Sequence, residues 1–324
     1  MSKKSDALTA KIVIQLQEQM QPVQPDDSIA EAGRKVLQGE FLKMLQHEPG
    51  SRTGEDIEDV HKMRVAIRQM RSAFRLLDGY FKPGTLRRFG KDLKRLMTAL
   101  GDLRDLDVMI HDLGNFPLSG DDRQAILLRE VIEALDQRRV VAREDLIDVL
   151  DSKAYRRFLK DYADFLMTPG AGVRKLDDEA IVPYQVRHVL PPMIYEHLAS
   201  VRAYDTVLAE ADVPTMHALR IEFKRLRYVV TLFSGVLGKD IDAFVSELKK
   251  IQDLLGEMND IEVARESLTD LMEDLDGDQN GVLWLYIDYL ANKKPQLDEN
   301  FPALWQRFNT KTVQRKLASA VAVL

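Results

Sequence analysis

The chain has 324 residues and a net charge of −6; 45 % of its residues are hydrophobic, 7 % are aromatic, and none is cysteine. This apolar content is enough for a packed core and excludes a disordered chain, while the lack of cysteine excludes disulfides and thiolate-held zinc. No apolar run approaches the roughly 20 residues of a membrane span, and Ile12 to Ile14 is too short for the core of a secretion signal, so we expect a cytoplasmic protein with no membrane partner.

The first half of the sequence predicts helices only, because β-branched runs of strand type are almost absent. Residues 1–26 are polar and rich in Gln, so we expect a flexible tail. Helices are predicted at about 27–47, ended by Glu48-Pro49-Gly50, and then at about 57–81 and 85–100. Gly101 is predicted to interrupt the third of these, so that a new helix begins at Asp102.

The second half continues the same helical pattern after a linker. Thr168 to Gly172 has the composition of a domain linker. Helices are then predicted at about 183–211, 214–237, 241–255, from Gly256 onward, 280–292 and 295–320. The chain is therefore predicted to be all-α.

The predicted helix 57–81 carries two stripes on one helical wheel. One stripe is apolar and typical of a core-facing side, and its members are Met63, Ile67, Met70, Phe74, Leu77 and Phe81. The other is basic and free of acids, with the members His61, Arg64, Arg68, Arg71 and Arg75. A single Arg of this kind could simply be solvated, but a whole acid-free stripe favours a binding surface.

Both stripes occur again further along the chain. His217, Arg220, Lys224 and Arg227 repeat the first four basic positions at an offset of 156 residues, and Leu255 to Asp260 repeats the Leu-Gly-x-x-x-Asp segment from Leu100 to Asp105 at an offset of 155. We therefore expect two pseudo-symmetric helical bundles of four-helix-bundle type, residues 27–167 and 183–324, joined by a linker at 168–182.

Charge is concentrated on the repeated segments. Val60 to Arg95 holds eleven Lys or Arg and two acidic residues, and Pro214 to Lys250 holds seven Lys or Arg and four acidic residues, whereas the rest of the chain is acidic. Two basic patches in an acidic body concentrate an anion in one place. The net charge of −6 argues against a protein that coats nucleic acids.

Basic side chains spaced i, i+3 and i+4 lie about 5–6 Å apart along a helix, and this spacing suits a linear chain of phosphates. The helix starts predicted after Gly101 and Gly256 could add backbone amides. Further candidate binding residues are Arg87, Lys91, Lys94, Arg104, Arg225, Lys249 and Lys250. No glycine-rich phosphate loop accompanies them.

Several residues allow two interpretations. His61 and His217 could contact an anion or could cap and pack their own helices. Arg104 could bind a ligand or pair with Asp105. The six histidines are scattered without metal-ligand spacing, so neither a metal nor another cofactor is predicted.

The duplicated His-x-x-Arg-x-x-x-Arg/Lys-x-x-Arg helix, each time followed by Leu-Gly-x-x-x-Asp, resembles the CHAD family, the conserved-histidine α-helical domain. The resemblance covers about residues 28–320 and implies two four-helix bundles whose basic surface binds inorganic polyphosphate through the residues named above. Family members are often fused to a triphosphatase-type domain whose Glu-x-Glu-x-Lys signature is not found here, so we expect a stand-alone, non-catalytic binder, associated with polyphosphate granules. Two positions depart from the repeat: Asn259 replaces Arg104, and Thr231 replaces Arg75.

Two other functions are compatible with the same residues. One is an enzyme that hydrolyses or transfers phosphate, with His61 or His217 as general acid or phospho-acceptor. The other is a nucleic-acid binder, which the acidic body and the lack of interleaved aromatic residues disfavour.

Overall fold

The computed structural model describes residues 3–118, 122–175, 182–273 and 275–324. The predicted all-α class is confirmed, because these residues form twelve α-helices and no strand. In chain order the helices are α1 (Lys3–Gln19), α2 (Ile29–Thr53), α3 (Ile57–Leu77), α4 (Arg87–Gly114), α5 (Asp122–Asp151), α6 (Lys153–Met167), α7 (Val186–Arg202), α8 (Val213–Leu232), α9 (Ile241–Met272), α10 (Gly277–Ala291), α11 (Lys294–Phe308) and α12 (Lys311–Val321). No helix among the described residues is both long and apolar enough to cross a bilayer.

The N-terminal segment differs from the flexible tail that its polar composition predicted. Residues 3–19 form α1, which packs on α2 and α6. Ile12 and Leu16, one helical turn apart, are 3 % and 0 % exposed, and the Thr9 hydroxyl donates a hydrogen bond to Glu48 over 3.4 Å. Two buried side chains on one face are enough to dock this helix, although most of its surface is polar.

Helix α2 also runs further than predicted, through Pro49 and Gly50 to Thr53. Its last turn is anchored by Arg52, whose guanidinium bonds the Glu48 carboxylate at 2.9 Å and Asp151 of α5 at 2.8 Å. The helix ends at Gly54, where φ is 72°, a left-handed conformation that glycine adopts without strain.

The two helices that carry the basic stripes are started by equivalent caps. Asp56 accepts a hydrogen bond from the Glu58 amide at the start of α3, and Asp212 accepts one from the Thr215 amide at the start of α8. Both α3 and α8 begin 156 residues apart, at 57 and 213. Carboxylate caps satisfy amides that would otherwise be orphaned and so fix where each stripe begins.

Two hydrophobic cores hold the helices together. The larger core takes buried residues from both predicted halves, and it includes Met63 and Ile67 of α3 as well as Phe223 and Leu226 of α8, all 0 % exposed. The smaller core lies among α4, α5, α9 and α10. The boundary between halves therefore crosses one continuous core, and the pseudo-symmetric division stays a prediction.

The segment predicted as a linker, 168–182, is partly described. Residues 168–175 lie against the α3–α4 connection, where the Lys82 amide donates to the Gly172 carbonyl at 2.8 Å and the Arg174 amide donates to the Tyr80 carbonyl at 3.0 Å. Residues 176–181 lie outside the described residues.

Candidate functional site

Helices α3 and α8 lie against each other, and each turns its apolar stripe to the core and its basic stripe away from it. Several of the basic side chains are not freely solvated, whereas Arg75 and His217 are exposed. The partly buried ones include Arg64, Arg68, Arg220, Lys224 and Arg227. Partial burial holds the long side chains in place while leaving their charged ends accessible. The structure thus places the two predicted basic stripes side by side.

Cations from the two helices approach one another closely enough to perturb their titration. The pKa of Lys224 is lowered to about 8, first by burial and then by Arg220 and by Arg68 from the neighbouring helix, with a further contribution from Arg227 and an opposing one from Asp260. We call Arg68, Arg220, Lys224 and Arg227 the cation cluster. Like charges held together in a partly buried place destabilise one another until an anion joins them.

Arg220 is affected by the same burial and by the same neighbouring positive charge of Arg68. Its pKa is lowered by burial and by Arg68, while Asp260 and Tyr228 act in the opposite sense. Tyr228 itself is only 9 % exposed, so most of its ring packs inside the protein. Because one acidic residue faces several basic ones, the cluster keeps an excess of positive charge.

Some cluster donors have no acceptor. Among the described residues, Nε of Arg68, Nε of Arg220 and Nη1 of the nearby Arg104 are buried without a hydrogen-bond partner. A buried donor left unpaired costs about 1–3 kcal/mol. These nitrogens have almost no accessible surface, so they show how deeply the arginine side chains are packed and do not themselves mark a place where a ligand binds.

The aspartate of each Leu-Gly-x-x-x-Asp segment pairs with an arginine of a basic stripe. Arg64 Nη1 lies 2.9 Å from Asp105 Oδ1, and Arg220 Nη2 lies 3.8 Å from Asp260 Oδ1. The two carboxylates are 71 % and 74 % exposed, and exposed pairs of this kind contribute only about 0–1 kcal/mol. They orient the guanidinium groups without competing strongly against an anionic ligand.

The sequence suggested a different role for these two segments, namely helix starts whose backbone amides could bind an anion. Gly101 and Gly256 do not interrupt their helices, since α4 runs unbroken from Arg87 to Gly114 and α9 from Ile241 to Met272. The prediction of free helix amides at these points is wrong. A Cβ at Gly101 would sit 3.7 Å from Arg64 Nη2, an ordinary van der Waals distance, so Arg64 lies close beside this part of α4 but does not require a glycine there.

A groove between α3 and α4 extends the basic surface. We call it the α3–α4 groove; it encloses about 470 Å³, and its walls carry five basic side chains and one acidic one, Asp78. The basic residues are Arg71, Arg75, Arg87, Lys91 and Lys94. These predicted residues are therefore brought together, next to the end of the α3 stripe.

The two histidines lie in the first turns of α3 and α8. The pKa of His61 is lowered by burial and by Arg104, with Glu58 opposing, so the ring is neutral near pH 7. Nδ1 of His217 lies 2.9 Å from Oδ1 of Asn259. Because that amide oxygen only accepts, Nδ1 carries the proton, and a neutral His217 then presents Nε2 as an acceptor and not as a donor to phosphate.

Three predicted binding residues lie apart from the cluster. Arg225 pairs with Glu222 at 2.5 Å and projects about 100° round the helix from Lys224. Lys250 pairs with Glu247 at 3.1 Å, while Lys249 is exposed on α9, three turns before Asp260 and on the same side. The structure does not bring Arg225, Lys249 or Lys250 to the cation cluster, and their binding role stays a prediction.

Arg104 is held beside His61 and lies 3.6 Å from Glu58. It does not pair with Asp105, which the sequence had allowed. In the second half Asn259 occupies the position of Arg104, and its bond to His217 takes the place of that ion pair.

Comparison with known proteins decides the family. The family model described as the CHAD domain matches residues 35–269, well over half of the chain. The chain belongs to the CHAD family. A crystal structure of the CHAD domain from the plant Ricinus communis superposes with a TM-score of 0.70 at 24 % identity, covering 88 % of this chain and 94 % of the other.

A second solved structure, PptA from Streptomyces chartreusis, superposes with a TM-score of 0.55 at 13 % identity, covering 86 % of this chain and 100 % of the other. The likeness to the plant CHAD domain shows that this chain has the CHAD fold. No curated protein matches the sequence. The matched residues include both α3 and α8.

Proposed function

We propose that this CHAD protein binds inorganic polyphosphate along the surface formed by α3 and α8. The observation that carries the proposal is the cation cluster, where Arg68 from one helix meets Arg220 and Lys224 from the other. Such a cluster demands an anionic ligand, and membership of the CHAD family favours polyphosphate among the anions.

The shape of the basic surface supports a chain and not a single ion. The basic residues succeed one another along α3 from Arg64 to Arg75 and continue into the α3–α4 groove. Basic side chains that lie about 5–6 Å apart along a helix can contact successive phosphates of one linear polymer. Orthophosphate could occupy only one of these positions, so a long chain gains affinity from many contacts at once.

The proposal includes that binding is not accompanied by catalysis. His61 and His217 are the residues that the sequence suggests as acid, base or phospho-acceptor, and neither belongs to the cation cluster. Incubation of the protein with polyphosphate should release no orthophosphate. Release that disappears in His61→Ala or His217→Ala would favour the enzyme instead.

Affinity measurements on a matched set of variants test the binding. Arg68→Gln combined with Lys224→Gln removes two charges from the cluster. The control Arg225→Gln removes one charge from the same helix, at a residue that pairs with Glu222 and that this proposal leaves outside the binding surface. Charge-assisted hydrogen bonds contribute about 1.5–3 kcal/mol each. Fluorescence anisotropy with labelled polyphosphate should therefore show a loss of at least about tenfold for each cluster residue and a small change for Arg225→Gln.

The ligand class is tested in the same assay. Binding should weaken steeply as salt rises, because counterions are displaced from the polyanion, as they are from nucleic acids. Orthophosphate should compete poorly, and single-stranded or duplex DNA should compete less well than polyphosphate at equal phosphate concentration. Equal competition by DNA, or equal losses in the cluster and Arg225→Gln variants, would refute the proposal.

A further inference from the structure

Lys224 is surrounded differently from other partly buried lysines of this protein. The ammonium nitrogens of Lys35 and Lys294 lie 2.7 and 2.6 Å from carboxylate oxygens, so each positive charge is neutralised. Lys224 is also partly buried, but the charges that act on it most strongly are those of Arg220, one helical turn earlier on α8, and Arg68 on α3. Among the described residues its ammonium group has no ion pair and no hydrogen bond.

This environment favours the unprotonated amine of Lys224. Burial, Arg220, Arg68 and Arg227 lower its pKa to about 8, and Asp260 of α9 opposes them. At about pH 8 half of the Lys224 side chains therefore carry a free amine, whereas about one in 250 does for an ordinary lysine with a pKa of about 10.4. A free amine is a nucleophile, and desolvation beside other cations is a common way to obtain one from lysine. Lys224 therefore combines a nucleophile with groups that attract anions.

The arginines beside Lys224 narrow the class of electrophile to one that carries a phosphate, because guanidinium groups bind phosphate oxygens well. An acyl phosphate joins a phosphoryl group, through one oxygen, to an electrophilic carbonyl carbon. If Arg220 and Arg68 hold the phosphoryl group, the carbonyl carbon comes within reach of Lys224, since side chains at i and i+4 of a helix are about 5–6 Å apart. The same guanidinium groups stabilise the phosphate as it leaves.

We propose that Lys224 is a modification site, acylated without an enzyme by small acyl phosphates that bind at Arg220 and Arg68. The lone pair of Nζ attacks the carbonyl carbon and forms a C–N bond, while the bond from that carbon to the phosphate oxygen breaks and the phosphate leaves with its electron pair. The nitrogen gives a proton to solvent, so the products are a neutral amide and inorganic phosphate. Acylation removes one positive charge from the cation cluster. It should therefore weaken polyphosphate binding by at least about tenfold, a consequence that rests on the function proposed above.

Acetyl phosphate is the probe that tests this site, with the full chain and without polyphosphate. The protein is incubated at about pH 8 with reagent far below saturation, so that the rate follows the ionisation of the unliganded protein. Mass spectrometry of peptides then gives the acetylation rate of each lysine. We expect Lys224 to react at least about tenfold faster than the exposed Lys62 of α3 and Lys249 of α9, because its free amine is abundant and lies beside phosphate-binding groups. Excess orthophosphate should slow the reaction of Lys224 and leave that of Lys249 unchanged.

A pair of variants and a second reagent separate recognition of the phosphate from simple reactivity of an amine. Arg220→Gln should slow acetylation of Lys224 at least about tenfold, since a charge-assisted contact to the phosphoryl group is lost. The matched control Arg225→Gln removes a charge from the same helix, at a residue paired with Glu222, and should leave the rate unchanged. A neutral ester, p-nitrophenyl acetate, should show a smaller preference for Lys224 in the unchanged protein. That comparison needs no substitution, so it holds even if Arg220→Gln fails to fold.

Acetylation of Lys224 at the rate of Lys62 and Lys249, or equal rates in the Arg220→Gln and Arg225→Gln variants, would overturn the proposal. The same preference for Lys224 with acetyl phosphate and with p-nitrophenyl acetate would overturn the assigned class of reagent. Polyphosphate takes no part in these reactions, so their outcome is separable from that of the binding proposed above.

Discussion

Lys224 makes polyphosphate binding sensitive to pH in a predictable direction. Burial together with Arg220 and Arg68 lowers its pKa to about 8 in the free protein. A bound phosphate chain supplies the missing negative charge and returns the pKa towards the ordinary lysine value of about 10.4. The ligand therefore prefers the protonated lysine, and the affinity is greatest below about pH 8 and falls as the pH rises through that value.

The size of the effect follows from the two pKa values. At about pH 7 nearly all Lys224 side chains are already protonated, whereas at about pH 9 only about one in ten is, so binding must take up a proton at a cost of about 1.4 kcal/mol. We expect the affinity for long polyphosphate to fall about tenfold between these pH values at constant ionic strength. Long chains are used because their terminal phosphates, which titrate near neutrality, are then only a small part of the ligand.

The matched variant is Lys224→Arg, which keeps the charge but stays protonated throughout this range. Its affinity should be nearly constant from about pH 7 to about pH 9, and fluorescence anisotropy of labelled polyphosphate measures both proteins. A flat profile for the unchanged protein, or the same decline in Lys224→Arg, would refute the reasoning from Lys224.

Three further predictions rest on other parts of the structure. Asp105→Asn with Asp260→Asn should raise the affinity for polyphosphate by a few fold, since exposed carboxylates worth about 0–1 kcal/mol no longer compete for the arginines; a loss of affinity in the same anisotropy assay would mean that their orienting role dominates. Lys91→Gln should weaken long chains more than chains of a few phosphates, because it lies in the α3–α4 groove that only a long chain reaches; equal losses for both lengths would contradict that path. Leu16→Ala should lower the free energy of unfolding in urea by about 2–5 kcal/mol, because the side chain is fully buried in the core; a change near zero would mean that α1 is the loose tail its composition suggests.

The helical class and the basic stripes could be predicted from sequence because both are local patterns. Periodicity near 3.6 places Met63, Ile67 and Met70 on one side of α3, and the structure buries all three completely. Arg64 and Arg68 belong to the adjacent stripe for the same reason. The repetition of the pattern in α8 pointed to a shared surface, and the contact between α3 and α8 agrees with this.

The partners of those arginines could not be predicted, because they depend on how separate helices pack. Asp105 and Asp260 were visible only as members of a repeated segment, and nothing local shows that they reach Arg64 and Arg220. The prediction that Gly101 interrupts its helix was wrong for a related reason. Glycine weakens a helix by about 1 kcal/mol relative to alanine, but the packing of α4 on α3 overrides that preference.

Helix α1 shows the limit of composition as a guide. A segment with few apolar residues was predicted to be loose, yet Ile12 and Leu16 fall one turn apart and meet α2 and α6. Whether two apolar side chains suffice depends on the surface that receives them, which is not encoded in the segment itself.

The central claim is that one polyphosphate chain binds across α3 and α8 through the cation cluster. A crystal structure of the protein with a polyphosphate of defined length tests it most directly. The account predicts phosphate groups within hydrogen-bond distance of Arg68, Arg220 and Lys224 together, with the chain continuing towards the α3–α4 groove. Polyphosphate bound elsewhere on the protein, with these three side chains untouched, would contradict it.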